Sequence, residues 1–100
     1  TNSFATTAIT AFEIRSGART ARQRRSVDAL LEAMTILPFG PDEARIAAEI
    51  RQQVEGQGQP IGMADCMIAA VCIAAHGILL TRNLKQFGRV QGLAISGRAD

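Results

Sequence analysis

The sequence predicts an α/β domain, a small and mostly parallel sheet flanked by helices, lacking its first strand in the sequence as given. Three observations predict it. Apolar residues recur at helical spacing in successive segments. Between and after them stand short apolar runs such as Ile78-Leu79-Leu80-Thr81. The strands so found are few for that many helices, because a parallel sheet covered on both faces wants more partners. A strand is therefore expected ahead of the first helix, and the chain is expected to open in mid-domain. One hundred residues make a single domain, 1–100.

The opening stretch TNSFATTAITAFEIRSG reads as a loop passing into a helix. Thr6, Thr7 and Thr10 all suit its N-cap, and the sequence does not choose among them. A second helix is predicted over Arg22 to Met34, where Val27, Leu30, Leu31 and Met34 form one apolar stripe. Thr35 to Phe39 reads as a short strand ending in a turn, with Pro38 against a central hydrogen-bonding position. A third helix starts near Asp42, its cap, and turns Ala44, Ala47, Ile50 and Val54 inward, with Ile46 widening that face. Gly56 and Gly58 end it. The fourth helix, Met63 to Ala75, reads MADCMIAAVCIAA and carries only Asp65 as a charge, so it is expected to be covered nearly all round. Gly77 fits its C-terminal stop with a positive dihedral. Ile78 to Thr81 reads as a buried parallel strand, Leu84 to Phe87 as one helical turn, Leu93 to Ile95 as a last strand, and Gly97 to Asp100 as a loose tail.

Composition narrows the function classes. With 47% hydrophobic residues, no Trp and no Tyr, the core is aliphatic and disorder is disfavoured. A net charge of +2 does not by itself imply a nucleic-acid partner. Arg15, Arg19, Arg22, Arg24 and Arg25 do cluster, either as a phosphate- or acid-binding group or as a solvated helix face. Cys66 and Cys72 lack zinc spacing, and on a helix their directions diverge, so buried free thiols in a reducing compartment are expected. The apolar run from Met63 is too short to span a bilayer, which points to a cytoplasmic protein without a membrane partner. Neither GxxxxGK[ST] nor GxGxxG occurs, which disfavours nucleotide cofactors and other phosphate-handling α/β folds.

Two carboxylates draw attention. Glu13 sits among Ile9, Phe12 and Ile14, where a solvent-facing role competes with a functional one. Asp65 lies in the first turn of the apolar fourth helix. Burying an unpaired carboxylate is costly, so Asp65 must be paired, hydrogen-bonded, facing a cleft or bound to a cation. The positive helix end keeps it ionised, which suits both a capping role and a metal ligand. Thr81 and Asn83 follow the last buried strand, at the edge where α/β domains place ligands; both residue types also form turns. Oxygen donors of this kind suit Mg2+ or Mn2+ rather than zinc. A divalent ion would position water and neutralise phosphate charge in phosphodiester hydrolysis.

The segments TTAITAFEIRSG (6–17), PIGMADCMIAAVCIAAHGILLTRN (60–83) and LKQFGRVQGLAI (84–95) resemble the PIN-domain ribonucleases of the VapC toxin class from bacterial toxin–antitoxin pairs. The resemblance implies a PIN-like fold and, for the intact protein, a Mg2+-dependent endoribonuclease with a cognate antitoxin and a homodimeric state. It places metal ligands at Glu13 and Asp65, and catalytic roles at Glu13, Asp65, Thr81 and Asn83. It implies contacts from Arg15 and Arg82 to phosphate or to an antitoxin carboxylate. Some relatives carry an acid just before the Phe, where this chain has Gln86. Relatives also open with an Asp-bearing strand to which Thr1-Asn2 does not correspond, so that strand and its Asp are expected to be missing. The RNA preference comes with the resemblance, since charge and motif do not separate RNA from DNA. A catalytically inactive PIN-like module binding RNA or a protein partner is the alternative.

Overall fold

The computed structural model describes residues 4–97. The chain divides into two compact units, one ending at Pro38 and the other beginning at Phe39. Each holds one pair of parallel strands among the described residues.

The first unit contains β1 (Ala5–Thr7), α1 (Ala8–Gly17), α2 (Ala21–Glu32) and β2 (Thr35–Leu37). The opening stretch, expected as a loop, is instead a strand from Ala5, with Ala5 opposite Thr35 and Thr7 opposite Leu37. A three-residue strand is too short to show a period of two, although the β-branched Thr6 and Thr7 suit extended backbone. Thr7 is the cap of α1: its hydroxyl oxygen accepts the Thr10 N–H at 2.9 Å. Helix α2 begins with a capping box in which Thr20 Oγ1 accepts the Gln23 N–H and Gln23 Oε1 accepts the Thr20 N–H, both at 3.1 Å. It ends at Glu32, so Met34 lies beyond it. Leu31 carries the inner face, while Leu30, expected to share the stripe, is 51% exposed. Strand β2 stops before Pro38, which has no N–H to give a ladder, rather than reaching Phe39.

The second unit contains α3 (Pro41–Gly56), α4 (Met63–Ala74), β3 (Ile78–Thr81), α5 (Leu84–Phe87) and β4 (Ala94–Gly97). Its core joins Ala47, Ile50 and Val54 of α3 to Cys66, Ala69 and Ala70 of α4, closed by Phe87 and Val90. The small Ala69 and Ala70, fully buried, let the helices approach closely. Complete burial of Val54 contributes about 1.5–3 kcal/mol. Ala44, expected on this inner face, is exposed. The cap of α3 is Gly40 rather than Asp42: Glu43 reaches back to accept the Gly40 N–H at 2.9 Å, and Pro41 occupies the first helical position, where no N–H is needed.

Two helices of this unit end alike. At the end of α3, the Gly58 N–H donates to Glu55 O at 3.0 Å and the Gln59 N–H to Val54 O at 2.8 Å, with Gly58 at φ 70°. At the end of α4, the His76 N–H donates to Ile73 O and the Gly77 N–H to Cys72 O, both at 3.0 Å. These are paired C-terminal carbonyl caps that need one left-handed residue. In α4 that residue is His76, at φ 54°, and not Gly77 as expected. The helix stops one residue early, and histidine is among the side chains enriched in that conformation.

Strand β3 runs parallel to β4, with Ile78 opposite Ala94 and Thr81 opposite Gly97. It is not buried on both faces as expected. Leu79 packs against the core, but Ile78 and Leu80 are 71% and 58% exposed. A run that is apolar on both faces hides this alternation from the sequence. Strand β4 also starts one residue later than expected and takes in Gly97, which was read as tail. The tail residues 98–100 and the first three residues of the opening loop, with Thr1-Asn2, lie outside the described residues. Cys66 and Cys72 are buried and free, as expected. Among the described residues, no helix is long and apolar enough to cross a membrane.

Candidate functional site

Asp65 sits in the first turn of α4, three residues after the helix cap Gly62, which offers no side chain to the exposed amides. From Cys66 to Cys72 every residue of α4 is buried or half-buried, so the helix anchors firmly and holds its first turn in place. The Asp65 side chain is half-buried. Burial pushes its carboxyl up from the ordinary value of 3.8. The same desolvation pushes up the neighbouring Cys66 thiol, with Arg51 acting against it, so Cys66 remains a neutral thiol rather than a nucleophile.

A side chain that the residue pattern did not single out as a site residue meets this carboxylate. Gln86 Nε2 donates a hydrogen bond to Asp65 Oδ2 across 21 positions of sequence. The only signal for it was its place directly before Phe87, where an acid was noted as absent.

Thr81 and Asn83 build the turn that carries Gln86. Thr81 Oγ1 accepts the Asn83 N–H at 3.0 Å, and Asn83 Oδ1 accepts the Gln86 N–H at 3.3 Å as the cap of α5. Both oxygens expected at the site edge are thus engaged with backbone, the turn-forming use open to these residue types. A carbonyl oxygen has a second lone pair, so the bond does not exhaust Asn83 as an acceptor.

Glu13 belongs to the first unit. It is exposed on α1 and borders an open depression of about 690 Å3 lined also by Ile14, Thr20, Arg22 and Gln23. Arg15 pairs with Asp28 at 2.6 Å, both half-exposed, a pair worth at most about 1 kcal/mol. Within the second unit, Asp65, Gln86, Asn83 and Thr81 form one connected set. Among the described residues, no three His, Cys, Asp or Glu side chains gather closely enough to hold a metal ion.

Short parallel strand pairs with helices packed on them define a small α/β domain. The PIN domain family matches residues 2–93, and the chain belongs to that family. Ribonuclease VapC1 of Rickettsia felis is 44% identical over 61 residues, 61% of this chain and 46% of the relative. The chain thus spans less than half the length of that relative. Among solved structures, VapBC-1 from nontypeable Haemophilus influenzae superposes with a TM-score of 0.89 at 24% identity, over 95% of this chain and 74% of that one, a likeness of fold. VapBC-5 from Mycobacterium tuberculosis, a member of the VapBC family of toxin–antitoxin systems, gives 0.72 at 29% identity, over 96% and 81%. PIN nucleases as a family use a divalent metal.

Proposed function

We propose that the protein is a Mg2+-dependent endoribonuclease, the toxin of a toxin–antitoxin pair. One observation carries the reading. The family's central Asp falls on Asp65, and the structure gives that carboxylate a desolvated position on the first turn of a buried helix with a hydrogen-bond donor already on one oxygen. Its VapC relatives support it.

The donors fit a hard cation in kind. Mg2+ keeps several waters and is usually held by one or two carboxylates together with substrate phosphates, so a closed cage of protein ligands is not required. Asp65 would be one such carboxylate, and Glu13 is proposed as the second from the family resemblance. Mn2+ shares the same ligand chemistry. When bound, the cation neutralises charge on the phosphate and acidifies a water. Asp65 contributes its carboxylate at a fixed point on the first turn of α4. The second lone pairs of Asn83 Oδ1 and Thr81 Oγ1 are proposed to orient the attacking water. Arg15 and Arg82 are proposed as backbone phosphate contacts, which position a substrate without reading its sequence.

The partners that follow are an RNA substrate, an antitoxin protein and a second copy of the chain. A cytoplasmic location accords with the two free thiols.

A second reading, an inactive PIN-like module that binds RNA or a protein, is favoured by the lack of a three-ligand cluster among the described residues. One assay separates them. The purified protein should cut single-stranded RNA in Mg2+, lose that activity in EDTA, and lose more in the Asp65→Asn variant than the roughly 10–100-fold that follows removal of a partner behind a metal ligand. Tight RNA binding with no cleavage in Mg2+ or Mn2+ would leave the binding module as the correct reading.

A further inference from the structure

Gln86 is held from both sides before its side chain reaches anything. On one side Asn83 Oδ1 accepts its backbone N–H at 3.3 Å. On the other, Phe87 is buried in the core, and the Gly88 N–H donates to Leu84 O at 2.8 Å. The turn is anchored further by Thr81, whose hydroxyl accepts the Asn83 N–H. From this fixed backbone the side-chain amide donates to Asp65 Oδ2.

An amide suits that place for an electrostatic reason. It gives one carboxylate oxygen a hydrogen bond without adding a charge of its own, and leaves the other oxygen open to a cation. A Glu at position 86 would replace this donor with a second negative charge facing the Asp65 carboxylate. An apolar side chain would leave the half-buried carboxylate without this donor.

We propose that Gln86 is a positioning residue, which fixes the orientation of the Asp65 carboxylate through the Asn83-capped turn and thereby sets its affinity for a divalent cation. The proposal rests on reading Asp65 as a metal-holding residue. Gln86 acts here on the ligand, as hydrogen-bond partners behind metal ligands commonly do.

The test is Mn2+ titration of the full chain by calorimetry, for the wild type, Gln86→Leu and Gln86→Glu, with thermal unfolding of each in EDTA. Gln86→Leu should weaken Mn2+ binding about 10-fold. Gln86→Glu should bind Mn2+ at least as tightly as wild type, since a carboxylate is itself a ligand, yet unfold at a lower temperature in EDTA. A merely structural role would move both variants in the same direction. Should Gln86→Leu fail to fold, Asp65→Asn gives the second measurement: the side-chain amide resonances of Gln86 should shift more than those of the exposed Gln52. Unchanged resonances, or equal Mn2+ affinity in all three proteins, overturn the proposal alone. A wild type that binds no Mn2+ at millimolar concentration overturns the metal reading of Asp65 and the proposal with it.

Discussion

Gln53 Nε2 donates to the main-chain carbonyl of Arg89 at 2.9 Å, and Oε1 of the same side chain accepts the Gln91 N–H at 3.2 Å. One amide of α3 thus satisfies two backbone groups of the segment that follows α5. That segment also holds Val90 in the core, and Arg89 returns a bond from its guanidinium to Pro60 O at 3.1 Å. The middle of the loop between Gln86 and β4 is therefore tied to α3 and to the loop that follows it.

Replacing Gln53 by Ala removes both of its bonds to that segment together with an exposed one from its Nε2 to Gln57 Oε1. Each is worth about 0.5–1.5 kcal/mol net, and water reaches part of the site, so a loss of about 1–2 kcal/mol is expected. Urea unfolding at unchanged m-value measures it. A loss under 0.3 kcal/mol would show that solvent replaces the amide fully.

His76 offers the opposite sign. It holds a left-handed conformation at φ 54° that costs an L-residue roughly 1–2 kcal/mol and glycine almost nothing. Some of that gain is offset by the greater freedom of glycine in the unfolded chain. His76→Gly should therefore stabilise by about 0.5–1 kcal/mol, read as a rise in the unfolding midpoint. Gly77→Ala, at a position without positive φ, should change little; a Cβ there lies 3.7 Å from Cys72 Sγ, an ordinary contact.

These two helix ends show what the residue pattern makes legible. Gly58 ends α3 as its type suggests, because glycine is the default where φ must be positive. At the end of α4 a glycine was present one position beyond the residue that takes the left-handed turn, and composition alone assigns the role to the glycine. Helix α3 was legible because its apolar periodicity extends over several turns, and α4 because a long apolar run with Asp65 as its only charge suits a covered helix. Strand β1 was not, since three residues carry no period, and the exposure of Ile78 was not, since both faces of β3 are apolar. The site divides in the same way. Asp65 is conspicuous as the lone charge of an apolar helix, whereas Gln86 reaches it across 21 residues by a contact that no local spacing encodes.

Asp65 also predicts a pH dependence. Burial raises its carboxyl above 3.8, so the folded state binds its proton more tightly than the unfolded chain does. The stabilising contribution is then fully present below pH 3.8 and is lost as pH rises through the folded value. At neutral pH the ionised, desolvated carboxylate is a net cost to stability, one that a functional site can carry. In EDTA, Asp65→Asn should raise stability at pH 7 relative to wild type, with the advantage shrinking as pH falls toward 4. Unfolding curves at pH 4, 5.5 and 7 decide it; an advantage that grows toward acid would reverse the sign of the argument.

Gly88 tests how tightly the turn that carries Gln86 is built. A Cβ at this position would lie 2.8 Å from the backbone carbonyl oxygen of Leu84, and that oxygen already accepts the Gly88 N–H. The obstacle is main chain rather than a flexible side-chain end, so relief requires moving α5 itself. Phe87, one residue before, is buried in the core and resists that movement. Gly88→Ala should therefore cost about 1–3 kcal/mol, the usual range for forced overpacking. Because α5 carries Gln86, the same substitution should also disturb the hydrogen bond to Asp65, seen as a shift of the Gln86 side-chain amide resonances in the folded variant. A variant as stable as wild type, with those resonances unmoved, would show that the turn yields at its open end and that Gln86 is held by its own contacts alone.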